Sequence, residues 1–427
     1  MRDQQLAGQD EQTLATEDVE GNTVHRSLTS IQEHNYAYYK SVFGSHPMPF
    51  AYVDLDLLEQ NIRQVVARAK GKRVRLASKS LRCIAITRRI LASDACFQGL
   101  MCFTAREAVY MAAQGFDDLL IGYPVYNEQD IATIARATAD GAHITLMVDC
   151  LEHVEQIEKL ARQHDVRLPL CLEIDMSMDV PGLHFGVWRS SLRTVEQARP
   201  VVKRIMTSQS VWLDGLMGYE AQIAGLGDNF AGQKLKNTLV RQLKRRSIHE
   251  IADRRATLVE MIGSYGIALR FVNGGGTGSI DSTRAEDVVT EITVGSAFYA
   301  PALFDNYRNF RYRPAAGFAI EIVRHPQPAI YTCLGGGYIA SGSAGSEKLP
   351  QPYLPEGATL DALEGAGEVQ TPIRYDGPAT LKIGDPIFMR HSKAGELCER
   401  FSHLLCVQDG RIVDEVTTYR GDGQCFL

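Results

Sequence analysis

The sequence predicts an α/β fold: a (β/α)₈ TIM barrel followed by a smaller, mostly-β C-terminal domain. Between residues 74 and 298, short β-rich runs alternate with amphipathic helical stretches. Eight such runs occur, each followed by helix-like sequence, and eight is the number that closes a barrel. After residue 310 the character changes to short β runs separated by Gly/Pro-rich turns such as Gly335-Gly336-Gly337 and Leu349-Pro350-Gln351-Pro352. Alternation alone does not show closure, so a doubly wound open sheet is the runner-up; the count of eight favours the barrel.

The chain begins with a polar stretch rich in Gln, Asp, Glu and Thr, read as disordered or loosely attached and assigned to an N-terminal extension over 1–47. Pro49–Leu55 then reads as a strand. Asp56 is the expected cap of a helix whose Leu58, Ile62, Val65, Val66 and Ala69 share one face, with Gly71 at its end. The barrel strands are expected at 74–79, 99–103, 118–123, 143–149, 168–175, 211–219, 269–274 and 288–295. Helices are expected at 105–114, 128–139, 151–164, 191–207 and 234–265. The barrel domain is placed at 48–310, although its first strand, near residue 52, also suits the β domain. That domain is placed at 311–427, with strands at 318–323, 330–333, 386–389 and 404–407.

Bulk properties exclude several classes. A chain of 427 residues is too long for one ordinary core, which suits one large domain plus a smaller one. Net charge −6 and a pI near 6.0 give no basic footprint for nucleic acid. No apolar run is long enough to cross a bilayer, and no signal-peptide pattern precedes the fold. The nine cysteines form no C-x-x-C pair and several sit in apolar runs, which suits free thiols in a reducing cytosol.

The chemistry concentrates at two places. Lys79 ends the first barrel strand, where such folds keep their reactive groups, and its amine can attack a carbonyl. Asn273-Gly274-Gly275-Gly276-Thr277-Gly278-Ser279 ends the seventh strand and Gly295-Ser296 the eighth. Glycines let backbone amides approach an anion, and barrels commonly bind phosphate after strands seven and eight. An amine on one side of a barrel mouth and a phosphate cradle on the other is the arrangement needed for pyridoxal 5′-phosphate (PLP).

The sequence resembles the fold-type III PLP enzymes, and within them the D-threonine aldolase and D-serine dehydratase branch, from residue 48 to the C-terminus. The likeness rests on Val74-Arg75-Leu76-Ala77-Ser78-Lys79, Thr104-Ala105-Arg106-Glu107-Ala108, Asp117–Ile121, Glu173-Ile174-Asp175, Gly218-Tyr219-Glu220, Gly274-Gly275-Gly276-Thr277 and Gly384-Asp385-Pro386. It implies that Lys79 bonds to the PLP aldehyde. It also implies that Gly274, Gly275, Gly276 and Thr277 with Gly295 and Ser296 bind its phosphate, and that Tyr219 lies near the ring. Gln222, three residues on, is a further candidate for the same site.

Two departures from the family pattern stand out. His184-Phe185-Gly186-Val187 places His184 where the family has an arginine near the pyridine ring. Where the branch has a histidine followed by Asp or Cys as a metal pair, His391-Ser392-Lys393 keeps only the histidine. A protonated lysine does not ligate a metal. No metal ligand is therefore assigned, although Glu396, Cys398 and His403 could rebuild a site. Lys393 is expected to substitute for the cation while His391 moves a proton.

The implied activity is a lyase on a small D-β-hydroxy amino acid, by deamination (D-serine type) or retro-aldol cleavage (D-threonine type). A PLP-dependent racemase, a non-catalytic PLP-binding protein and a barrel without PLP are the alternatives. The resemblance further implies a cytoplasmic homodimer whose partner is a small-molecule amino acid.

Overall fold

The computed structural model describes residues 34–426, and a compact unit runs from Asn35 onward. The expectation for the polar N-terminal stretch lies outside the described residues. Helix α1 (Tyr36–Phe43) falls inside the predicted extension, yet it is anchored. Asn35 caps it through the Tyr38 amide (3.0 Å), and Tyr39 and Phe43 are buried with Tyr52, Phe388 and Leu405. The Tyr39 hydroxyl donates to Asp54 (2.9 Å). Sequence patterning missed the helix because its aromatic face has meaning only against the β domain.

Strand β1 (Phe50–Asp54) leads into helix α2 (Leu55–Ala69). Asp54, not Asp56, caps α2, accepting from the Leu57 amide at 3.0 Å. The strand stays extended through Asp54, so that residue is the last one outside the helix. Asp56 instead accepts from the Asp409 amide (2.8 Å).

The barrel strands follow: β2 (Arg73–Ala77), β3 (Phe97–Cys102), β4 (Leu119–Pro124), β5 (Ile144–Val148) and β6 (Leu168–Ile174). A small hairpin, β7 (Met178–Val180) and β8 (Leu183–Phe185), precedes β9 (Val211–Gly218), β10 (Phe271–Gly274) and β11 (Glu291–Val294). Helices α3 (Ile84–Leu91), α4 (Ala105–Ala113), α5 (Glu128–Ala139), α6 (Leu151–Gln163) and α7 (Val195–Met206) surround them. The short α8 (Ala221–Ala224), the 30-residue α9 (Lys234–Gly263), and the short α10 (Ile280–Thr283) and α11 (Ser296–Tyr299) follow the later strands. The eight strands pair in parallel and close, with β11 against β2 in the register Thr293↔Arg75. All eight predicted strands exist, and the open-sheet alternative is excluded.

The barrel interior is layered. Arg75, fully buried, spans the closing seam to Glu291 through two bonds (2.7 and 3.0 Å) and reaches Asp118 from the other side (2.6 Å to its carbonyl, 3.0 Å to its carboxylate). Asn273 donates to the same Glu291 (2.8 Å). Leu120, Met147, Cys171, Met217 and Phe271 form a separate apolar cluster inside the barrel.

The β domain is one sheet in the order β15 (Thr359–Leu360), β16 (Gln370–Arg374), β13 (Ile330–Leu334), β12 (Ala316–Gln327), β1, β18 (His403–Gln408), β19 (Arg411–Thr417). β17 (Pro386–Arg390) joins β12 to β14 (Gln351–Leu354). Strand β1 pairs with β12 and β18, so it belongs to this sheet, and the chain passes through the β domain before entering the barrel. β14 and β15 escaped sequence reading because they are short, β19 because it is largely exposed, and β16 because its three buried residues run together without alternation. Every cysteine is a free thiol, as expected.

Breaking a buried pair by removing one partner leaves a charge without compensation, at a cost of about 3–5 kcal/mol. Glu291→Ala is therefore predicted to lower stability by about that amount, read as a fall in the urea midpoint; an unchanged midpoint would contradict the role given to the seam.

Candidate active site

A cavity of about 720 Å³ opens at the carboxyl ends of the barrel strands. Its wall includes Lys79 after β2, Tyr123 on β4, Tyr219 after β9, the loops after β10 and β11, the start of α9, and residues 343–348 and 393–394 from the β domain. Alternation along β2 brings the chain to the cavity: Arg75 points inward, so Ala77, the last strand residue, faces the same side, and the next turn presents Lys79. The chain leaves the strand in the turn Ser78–Ser80, pinned by the Ser78 hydroxyl donating to the Met101 carbonyl (2.9 Å).

The glycine loop is held from behind by Glu220, a fully buried carboxylate. Glu220 accepts from the Gly275 amide (3.2 Å), the Ser279 hydroxyl (2.9 Å) and the Thr283 hydroxyl, and it pairs with buried Arg255 (3.2 Å). Gly275 has φ +90°, a conformation that favours glycine. The Gly276 amide is also satisfied internally, by Ser279 Oγ (3.1 Å). The Thr277 hydroxyl accepts from the Ala297 amide (3.1 Å), joining the β10 loop to the β11 loop. Ser80 and Ser296 hydroxyls meet at 3.4 Å, joining the β11 loop to the Lys79 turn.

Among the described residues, the amides of Thr277 and Ser296 make no hydrogen bond, and both residues line the cavity. Close packing requires the glycines around them. A Cβ on Gly276 would sit 2.8 Å from Ala224 Cβ, and one on Gly295 would sit 2.6 Å from Ser80 Oγ. An amine together with unpartnered amides and a serine hydroxyl fits a ligand carrying both an aldehyde and a phosphate, as PLP does.

Lys79, Tyr219, Gly275, Gly276, Thr277, Gly295, Ser296 and Lys393 all line this one cavity. Four expectations do not hold. Gly274 is the last residue of β10 and packs its backbone against Arg255 and Thr283. Gln222 is buried outside the cavity, donating to the Met176 carbonyl (2.5 Å) and Ser247 (2.8 Å), where it pins the segment before the β7–β8 hairpin.

His184 sits on the outward hairpin, with Nδ1 2.7 Å from Asp179 and its ring stacked 3.7 Å from exposed Trp188. Neither His184 nor any other residue of the hairpin lines the cavity; the arginine that follows it, Arg189, does. Arg189 lines the cavity, paired with buried Glu173 and donating to the Gly122 carbonyl (2.8 Å). Its guanidinium lies over the rings of Tyr123 (4.7 Å) and Tyr219 (5.6 Å). The signal for Arg189 was present in Glu173, but a hairpin inserted between them hid the relation.

His391 is the fourth correction. It is fully buried at the end of β17 and does not line the cavity. Burial, reinforced by Arg390, pushes its imidazole down to about 3, so it is a neutral core ring beside Tyr299 rather than a proton carrier. Among the described residues, no three-ligand group of His, Cys, Asp or Glu contains His391, Glu396, Cys398 or His403. Cys398 donates to the Leu81 carbonyl (3.3 Å) and Glu396 accepts from the Ser341 amide (3.1 Å). Lys393 stands in the cavity wall, its ammonium donating to Ser341 (3.0 and 3.1 Å). This donor set does not fit a divalent metal.

Comparison with known proteins agrees with this fold. The alanine racemase N-terminal domain family matches residues 53–299. A 3-hydroxy-D-aspartate aldolase of Paracoccus denitrificans (strain Pd 1222) is 26% identical over 257 residues, which is 60% of each chain. A D-threonine aldolase of an Arthrobacter species is 26% identical over 250 residues, 58% of this chain and 60% of its own. The chain thus aligns with 60% of the length of the curated relatives it matches. Among solved structures, D-threonine aldolase from Filomicrobium marinum shares the fold with TM-score 0.72 at 18% identity, covering 89% of this chain and 96% of that one. D-threo-3-hydroxyaspartate dehydratase from Delftia sp. HT23 gives TM-score 0.71 at 17% identity, covering 88% and 98%.

Two predictions follow from the buried groups. Between the ordinary histidine value of 6.5 and about 3, the unfolded state binds a proton at His391 that the folded state does not. Stability is therefore expected to fall as pH drops through that window, and His391→Gln to flatten the slope in acid titrations followed by circular dichroism. Glu220→Ala releases the Gly275 amide and leaves Arg255 short of a partner. It is predicted to weaken PLP binding by about tenfold, the equivalent of about 1.4 kcal/mol, measured by equilibrium dialysis.

Proposed function

The chain belongs to the alanine racemase N-terminal domain family, and from that membership and the cavity around Lys79 we propose that it is a PLP-dependent lyase acting on a small D-configured β-hydroxy amino acid. One observation carries the reading: Lys79 shares a cavity with the unpartnered amides of Thr277 and Ser296. The substrate class and its configuration are supported by the relatives named 3-hydroxy-D-aspartate aldolase and D-threonine aldolase.

When bound, PLP supplies an electron sink for the charge that develops at the substrate Cα. Lys79 would hold the cofactor through its amine, and as the amine in this cavity it is the base at hand to take or return a proton at the substrate Cα. Tyr219 does not share that task. Burial, then Glu220, pushes its phenol up to about 12, so it keeps its proton and serves as a wall. Tyr123 differs: burial raises its phenol, but Lys79 and Arg189 outweigh burial and hold it below the ordinary tyrosine value. Its hydroxyl belongs to a residue that lines the cavity beside Lys79 under the Arg189 guanidinium (4.7 Å), which makes it the candidate second proton donor. Glu173 outweighs burial and holds Arg189 above the ordinary arginine value, so this wall has a permanent cation in place of a titratable histidine.

In this reading no divalent metal takes part, because the position of a second ligand is held by Lys393 beside Lys348. A racemase needs a second base opposite Lys79. Tyr331, Tyr338 and Tyr353 lie outside the cavity of this chain: Tyr331 stacks on His325, Tyr338 packs on Phe318 and Tyr353 lies under Arg390. A homodimer in the cytoplasm completes the proposal. No described helix is long and apolar enough to cross a membrane.

Protein incubated with PLP is expected to absorb at about 420 nm, and Lys79→Ala to abolish that band; a wild-type protein that stays colourless would end the reading. D-serine, D-threonine and D-3-hydroxyaspartate, assayed separately for ammonia, aldehyde and inversion, should release ammonia or aldehyde without inversion. EDTA dialysis is expected to leave the rate within about a factor of two, and stoichiometric zinc or manganese in the purified protein would contradict the metal-free part.

A further inference from the structure

The cavity wall carries more positive charge than the lyase reading uses, and two of its lysines come from the β domain. Lys79, Lys236, Lys348 and Lys393 line the cavity, and none has a carboxylate within ion-pair distance among the described residues. Glu347 is the one carboxylate in that wall. Its oxygens turn back on their own loop, 2.8 Å or less from where a Cβ on Gly345 would stand. Lys79 is committed to the cofactor, the phosphate takes backbone amides, and the α-carboxylate of an amino acid neutralises one cation. Positive charge remains.

Two of these cations share one small space. The ammonium groups of Lys348 and Lys393 each lie 3.8 Å from the position a Cβ would take on Gly342, whose φ of +106° favours glycine. Gly342 thus keeps the space between them open. Lys393 is oriented by two bonds to Ser341, which leaves its third proton undirected, and the Lys348 ammonium makes no hydrogen bond among the described residues. Burial, then Lys348, hold the Lys393 ammonium below its ordinary value against the opposing pull of Glu396, with Lys79 adding to the lowering, so the two wall lysines act on one another. Like charges held together in a half-buried wall are stabilised by an anion placed between them.

We propose that Lys348 and Lys393 form a carboxylate subsite for the side chain of the substrate, so that the preferred substrate is a dicarboxylic amino acid. The proposal rests on the lyase reading for its orientation of the substrate amine toward Lys79. It assigns Lys393 a role in recognition rather than in replacing a metal's catalysis.

D-aspartate and D-asparagine separate the two ideas, because they differ only in the charge of the side chain and have no β-hydroxyl to eliminate or cleave. Each is titrated into the PLP-loaded protein and followed by the change in the cofactor's absorbance. D-aspartate is expected to bind at least about tenfold more tightly, with the preference shrinking as salt is added. Lys348→Met and Lys393→Met should each bring the ratio toward one, while Lys393→Arg keeps most of it. Melting temperature and PLP content verify that the variants fold.

Equal affinity for the two ligands in the wild-type protein would overturn the subsite, and so would a preference that survives both methionine variants. A preference for D-aspartate in a protein that neither cleaves nor deaminates D-3-hydroxyaspartate would support the subsite and refute the lyase reading.

Discussion

The seam where β11 meets β2 is the constraint on which the rest depends. Arg75 and Glu291 come from opposite ends of the barrel sequence and meet only if the sheet closes. Inside the barrel each would be an isolated charge at prohibitive cost, so open or slipped arrangements are penalised more than the closed state is rewarded. The guanidinium is then fully engaged, by Glu291 on one side and Asp118 on the other, and stays charged. Because side chains alternate along β2, fixing Arg75 inward also turns Ala77 inward at the strand's end, and the Ser78–Ser80 turn that follows presents Lys79 to the cavity. The core therefore determines where the reactive amine stands.

Above that layer, a second buried carboxylate shapes backbone instead of side chains. Glu220 collects the Gly275 amide and two hydroxyls on the cavity's far side and is itself balanced by Arg255. The consequence is selective. The amides of Gly275 and Gly276 are consumed internally, and those of Thr277 and Ser296 are left for a ligand. A glycine-rich loop by itself is mobile; tied at both ends through Thr277–Ala297 and Ser80–Ser296, it presents its donors in fixed positions without waiting for the ligand.

The β domain supplies the remaining wall, and its contribution is electrostatic. Lys393 stands in this wall, joined by Lys348 across an open glycine. The neighbouring histidine is sealed in the core, where its imidazole stays neutral. Positive charge at this wall is thus carried by flexible ammonium groups that can adjust to a carboxylate, and the barrel wall opposite has Arg189 locked against Glu173.

Hydrophobic periodicity and the count of strand runs were enough to read the barrel, because burial repeats every two residues in strands and near 3.6 in helices. The position of Lys79 and of the glycine loops at strand ends was equally legible, since strand ends locate the mouth. What lay beyond the sequence were relations between distant segments. Arg189 and not His184 lines the cavity, because a hairpin interrupts the loop; Gln222 and His391 turned into the core; helix α1 found its partner in Phe388. Local pattern carries the period of burial and so determines the elements and the identity of the amine. Which side chain reaches the cavity depends on loop paths and on charge meeting charge across dozens of residues, and only the folded chain decides that.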